Sequence, residues 1–224
     1  MDDLGTAYDA QDAETGPDVS RVERALLCDL LDRLGPSAPT LCEGWDTHHL
    51  AAHLSGREGG PLRSALSALP KLGDRLVDYL AQHRDYGDLV DEVRSGPSRL
   101  SVFSVPRLEP LLNVVELFVH HEDVRRASAG WQARALPSWA QDQIWARVVG
   151  FAKLSLRRAP TALVLERSDT AQRASVSTGD VEVTVHGPPS EIALWVTGRR
   201  SATLVELTGE PAAVAAYTDT SHDA

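Results

Sequence analysis

Residues 108–127, LEPLLNVVELFVHHEDVRRA, decide how the chain is read. Leu108, Leu111, Leu112, Val115, Phe118, Val119 and Val124 recur at the spacing of a helix packed on most of its circumference. Asn113, Glu116, His120 and Asp123 interrupt that apolar surface along one stripe. Residues three or four apart share a helix face, with Cβ atoms roughly 5–6 Å apart. Burying a carboxylate and an imidazole there without compensation costs several kcal/mol, so a partner is required. The chemistry of the pair points to a metal ion, with a further ligand supplied from elsewhere in the chain.

Working outward, Val19–Leu34 carries Val22, Leu26, Leu27, Leu30, Leu31 and Leu34 at helical spacing and is closed by Gly35-Pro36. Asp46 is a good N-cap for a second helix, Thr47 to about Glu58, on an apolar stripe of Leu50, Ala51 and Leu54. Gly59-Gly60-Pro61 breaks it, and Leu62–Leu69 reads as a further helical segment. Two short helices are expected around Leu72–Leu80 and Leu89–Val93, then a loop between Gly96-Pro97 and Pro106. Pro137 opens a helix that runs to about Arg158 and joins the earlier ones as the fourth principal helix. After Pro160 the period changes from 3.6 to 2. Thr161–Glu166, Ala174–Ser177, Val181–His186 and Ala202–Leu207 read as strands, with helices at Ser190–Val196 and Pro211–Tyr217. The expected organisation is an acidic disordered tail (1–17), a helical bundle (18–160), a small α/β domain (161–217) and a short disordered tail (218–224).

Among 224 residues there are 22 basic and 32 acidic side chains, a formal net charge of −10. Asp2, Asp3, Asp9, Asp12, Glu14 and Asp18 account for −6 of it, with no basic residue among the first 18. An acidic tail on a near-neutral body excludes a nucleic-acid partner, which needs a basic face. Cys28 and Cys42 form no CxxC pair and fit reduced cytosolic thiols rather than a structural zinc site. Neither a signal peptide nor an apolar run of about 20 residues is present, so the expectation is a soluble, cytoplasmic protein that meets no membrane.

Glu116 and His120 give two metal ligands from one helix, and a facing helix can give the third. His49 and His53 are the candidates on the second helix. His53 flanks the apolar stripe between Ala52 and Leu54, whereas His49 lies nearer the helix start and solvent. His121 and Glu122 are expected to point outward. Asp123 either orients a ligand or pairs with Arg125 or Arg126.

The runs TLCEGWDTHHLAAHLSGREGGP and NVVELFVHHEDVRRA together resemble the DinB-like superfamily. Within it the similarity is to the metal-binding branch related to the actinobacterial mycothiol-dependent maleylpyruvate isomerases, and it extends over Val19–Tyr217. That resemblance implies a mainly α protein: a four-helix bundle holding a divalent metal, usually zinc, with a small C-terminal α/β appendage resembling sterol-carrier folds. GPPSEIALWVTGRR, residues 187–200, looks like the helix and turn of that appendage. A family motif of the form W-x-x-x-x-L-x-x-H-L falls on Trp45, Leu50, His53 and Leu54, and the E-x-x-x-H pair on Glu116 and His120. The implied ligand set is therefore His53, Glu116 and His120, with zinc or another divalent ion as cofactor. Because two histidines and a carboxylate also serve iron oxygenases, zinc rests on the resemblance rather than on ligand type.

A metal with three protein ligands can hold a thiol as thiolate at neutral pH, the nucleophile that thiol transfer and thiol-dependent isomerisation both need. The expected function is a metal-dependent transferase or isomerase using a low-molecular-weight thiol such as mycothiol, with an electrophilic small molecule as partner. The alternatives are a non-catalytic metal-binding or stress-related module and a metal-water hydrolase. Arg57, one turn after His53, is a candidate for holding a carboxylate of substrate or thiol, and Asn113 and Asp123 are supporting candidates. No catalytic residue is singled out, and a monomer and a homodimer are both compatible with the sequence.

Overall fold

In the computed structural model, residues 16–98 and 109–218 are described. Residues 1–15 of the expected acidic tail, residues 99–108 and the last six residues lie outside them. The described chain is mainly helical with one small sheet. It forms two compact units, one from Pro17 to Gln132 and one from Ala133 onward.

The first unit is helical. Helix α1 (Val19–Leu34) starts where the Asp18 carboxylate accepts the Ser20 N–H at 2.9 Å, and ends at Gly35, whose positive φ of 76° returns an N–H to Leu31 O. Asp46 caps α2 (Thr47–Glu58) by accepting the His49 N–H at 3.0 Å. Pro61 opens the short α3 (Pro61–Ser67) at a position where no N–H is needed. Helices α4 (Pro70–His83), α5 (Tyr86–Ser95) and α6 (Glu109–Arg126) follow. Helix α1 packs on α5 and α6, and α2 packs on α4 and α5. Their shared core contains Leu27, Leu31, Leu50, Leu54, Leu80, Leu89, Val90, Leu117 and Val124.

That core is threaded by ion pairs. Arg24 of α1, 7% exposed, grips both oxygens of Glu58 at 2.5 and 2.6 Å and donates to Val93 O at 2.8 Å. His121 Nδ1 lies 2.6 Å from Glu23, with both side chains buried. Glu122 is fully buried and accepts from Arg125 at 2.9 Å and Arg126 at 2.6 Å. His121 and Glu122 thus do not point outward. From Val114 onward α6 has no fully solvated face, and its charged residues find partners on α1, on α2 or within one turn along α6 itself.

In the second unit α7 (Ser138–Ser155) packs on α8 (Pro189–Val196), where Gln141 accepts the Ser190 N–H at 2.9 Å and donates to Ser190 Oγ at 3.1 Å. The periodicity groups α7 with the preceding helices; in the structure it belongs with the sheet unit. The sheet runs in the order β2 (Arg173–Ser175), β1 (Ala162–Arg167), β3 (Glu182–Gly187), β4 (Glu206–Gly209). Strands β1 and β3 are parallel, and the outer pairings are antiparallel. Last comes α9 (Pro211–Thr218). The strand expected over Ala202–Leu207 starts later, at Glu206. Thr203 and Leu204 instead donate to Glu191 of α8, at 3.2 Å from Thr203 Oγ1 and 2.9 Å from Leu204 N–H, which keeps them off the sheet edge. No described helix is long and apolar enough to cross a membrane.

Candidate metal centre

Three side chains from two helices converge in the first unit. His53 stands on α2 seven residues after its cap; Glu116 and His120 stand one turn apart on α6. His53 Nε2 is 3.1 Å from Glu116 Oε1, and His120 Nε2 is 3.4 Å from the same oxygen. One ligand atom from each lies within 4.8 Å of the others. The two imidazoles meet edge to face, with centroids 5.1 Å apart.

The other nitrogen of His120 fixes how that ring is used. Nδ1 lies 2.9 Å from Asp123 Oδ2, and Asp123 is fully buried. A neutral imidazole that donates Nδ1–H to a carboxylate presents a lone pair at Nε2, the arrangement found behind metal-bound histidines. In that tautomer the His120 Nε2 lone pair faces the same Glu116 oxygen that His53 Nε2 meets at 3.1 Å. Arg57 already brings one positive charge to that oxygen at 3.3 Å, and a metal ion or a proton on one ring would bring a second.

The titration behaviour follows from the same contacts. Burial pushes His53 below its ordinary value, in favour of the neutral form that ligates a metal. Burial acts on His120 in the same sense, but Asp123, Cys42 and Glu116 outweigh it and hold the ring well above 6.5 when no other cation is near. Glu116 is half-buried, which raises its carboxyl, yet Arg57 and the two histidines outweigh this and keep it well below the usual range. An anionic Glu116 beside two imidazoles is a donor set suited to a divalent ion of borderline hardness.

Arg57 lies one turn beyond His53. Its Nε is 3.3 Å from Glu116 Oε1, and its terminal nitrogen donates to Asn113 Oδ1 at 2.6 Å. The neighbouring Glu58 is paired with Arg24. Asn113 is fully buried, and its Nδ2 finds no acceptor among the described residues. His49 is a capping neighbour, with Nδ1 2.6 Å from Asp46, and takes no part in the cluster.

Sequence reasoning did not single out Cys42 or the side chain of Trp45 for the site. The Trp45 ring lies 5.1 Å from that of His53, and Cys42 Sγ–H donates to Asp123 Oδ2 at 3.2 Å. Cys42, His120 and Asp123 are themselves close enough to form a second group of potential ligands sharing His120. The available signal was their place in the loop immediately before the helix that carries His53.

No protein-family model and no curated protein sequence matches this chain. A crystal structure of the mycothiol-dependent maleylpyruvate isomerase does match, with a TM-score of 0.62. In fold, the chain is similar to that isomerase. Identity is 18%, and the match covers 86% of this chain and 91% of the isomerase chain. A histidine-to-alanine variant of the isomerase matches over the same shares at 17% identity and a TM-score of 0.61. At these identities the likeness is one of fold alone.

Proposed function

We propose that this protein binds a divalent metal, zinc in the first instance, through His53, Glu116 and His120, and uses it with a low-molecular-weight thiol of the mycothiol type in a transferase or isomerase reaction. The observation that carries the reading is the convergence of those three ligand atoms within 4.8 Å, on two helices whose backbone hydrogen bonds fix them independently. An ion held by three protein ligands supplies Lewis acidity at its remaining position, enough to favour a thiolate near neutral pH.

The chain's own residues do the rest. Asp123 holds the proton on His120 Nδ1 and so aims Nε2 at the site. Trp45 packs beside the His53 ring, with centroids 5.1 Å apart and the planes tilted by 43°. Arg57 of α2 and Asn113 of α6 sit beside Glu116. The Asn113 Nδ2–H left without an acceptor among the described residues has a free-energy cost of about 1–3 kcal/mol, which an oxygen of a bound carboxylate or carbonyl compound would remove. Arg57 supplies the complementary charge for such a group. The similarity in fold to a mycothiol-dependent isomerase supports mycothiol as the thiol and an electrophilic small molecule as its partner.

Metal-loaded and metal-free protein incubated with mycothiol and monochlorobimane provide the test. The expected result is a fluorescent adduct that forms faster than background only when metal is present. Retained metal with no metal-dependent adduct from this or a panel of other electrophiles would make the protein a metal-binding module instead.

A further inference from the structure

The loop before α2 touches both ligand histidines, and its contacts give Cys42 a role. The loop is built to a fixed shape. Thr40 Oγ1 accepts the Cys42 N–H at 3.1 Å and donates to Trp45 O at 2.8 Å, while the Trp45 N–H donates to Cys42 O at 3.0 Å. Gly44 turns the chain at a φ of +74°, a conformation that side-chain-bearing residues rarely adopt. Pro39 and Asp46 close the loop as an isolated antiparallel bridge. One backbone bond pins it to α6: the Leu41 N–H donates to Asp123 O at 3.0 Å. The result is that Trp45 lies on the His53 ring while the adjoining thiol reaches the carboxylate that orients His120.

We infer that Cys42 is a positioning residue for the metal centre, its S–H fixing the Asp123 carboxylate that in turn holds His120 Nδ1. The inference rests on the metal-site reading above. Sγ is 3.2 Å from Asp123 Oδ2 and 3.9 Å from His120 Nδ1, so the thiol meets the carboxylate first and the imidazole only beyond it. Asp123 Oδ2 therefore receives two donors, from the imidazole and from the thiol. Removing the thiol donor takes away one of the contacts that keep Oδ2 on the line along which it holds the ring. Outer partners of this kind change metal affinity by about 10–100-fold when lost.

A serine at position 42 keeps a donor of similar reach, and an alanine does not. Metal dissociation constants are measured by chelator competition for the wild-type protein, Cys42→Ser and Cys42→Ala, with Co(II) spectra recorded on each. The expected result is near-wild-type affinity for Cys42→Ser, affinity weakened about 10-fold for Cys42→Ala, and no sulfur-to-cobalt charge-transfer band in any of them. Chemical denaturation of the metal-free proteins identifies a variant that has lost its fold. Equal affinity in all three proteins overturns the role of Cys42 and leaves the metal site standing. A charge-transfer band that disappears in Cys42→Ser also overturns it, because the sulfur would then be a ligand. Absence of metal binding in the wild-type protein overturns both the site and this inference.

Discussion

His120 Nδ1 and Asp123 Oδ2 stand 2.9 Å apart, less than one turn from each other on α6, in a part of the first unit where Asp123 has no exposed surface. A neutral His120 ring that gives its Nδ1–H to Asp123 presents its Nε2 lone pair toward Glu116, the orientation the proposed metal site requires. Asp123→Asn keeps the size of the side chain but removes its charge. It should weaken metal binding by about 10–100-fold, while His53, Glu116 and His120 remain in place. Chelator competition measures this, and unchanged affinity would remove Asp123 from the site.

The two cysteines should differ sharply in reactivity. Cys28 is fully buried on α1, and burial pushes its thiol up to about 12. Cys42 is half-buried in the loop before α2. A disulfide reagent such as DTNB should therefore titrate one thiol in the folded protein, identified as Cys42 by peptide mapping, and two after denaturation. Release of both at the same rate under native conditions would contradict the burial of Cys28.

The Arg24–Glu58 pair ties α1 to the end of α2. Glu58→Ala leaves a guanidinium buried without its carboxylate, and should cost about 3–5 kcal/mol in a urea titration. The double replacement Arg24→Met with Glu58→Leu should cost much less, because it removes both charges together. If the single and double variants unfold at the same urea concentration, the pair is not coupled as the geometry requires.

Much of the first unit was legible because its signals are local. Asp46 reads as a cap, Gly35-Pro36 as a stop and Gly59-Gly60-Pro61 as a break, and each acts on residues within one turn. The stripe Asn113, Glu116, His120, Asp123 was equally visible, since helical spacing alone puts those residues on one face. The partners of His121 and Glu58 were not, because Glu23 and Arg24 lie on a helix whose contacts with α6 and α2 no local pattern encodes. Trp45 and Cys42 escaped for a related reason. Loop geometry, rather than periodicity, carries them to His53 and Asp123. The grouping of α7 likewise depends on the Gln141–Ser190 contact, between residues 49 apart in sequence.

Acid should weaken the first unit partly through Glu92. Burial raises its carboxyl, but hydrogen bonds from Ser55, Arg84 and Arg63 outweigh this and hold it below its ordinary 4.5. A carboxyl whose folded value is depressed contributes stability above its unfolded value and loses it as pH falls through the folded one. Glu92→Gln should therefore lower the thermal midpoint at pH 7, and the gap to wild type should close as the pH drops below about 4.5. A gap that stays constant from pH 7 to pH 3 would mean that the carboxylate charge is not what Ser55, Arg63 and Arg84 recognise.

Metal content is the most direct measurement. Elemental analysis of purified wild-type protein, His53→Ala and His120→Ala, each checked for a folded spectrum, should find about one divalent ion per chain in the wild type and little in either folded variant. Full retention of the ion in both variants would contradict the assignment of His53, Glu116 and His120 as the metal centre.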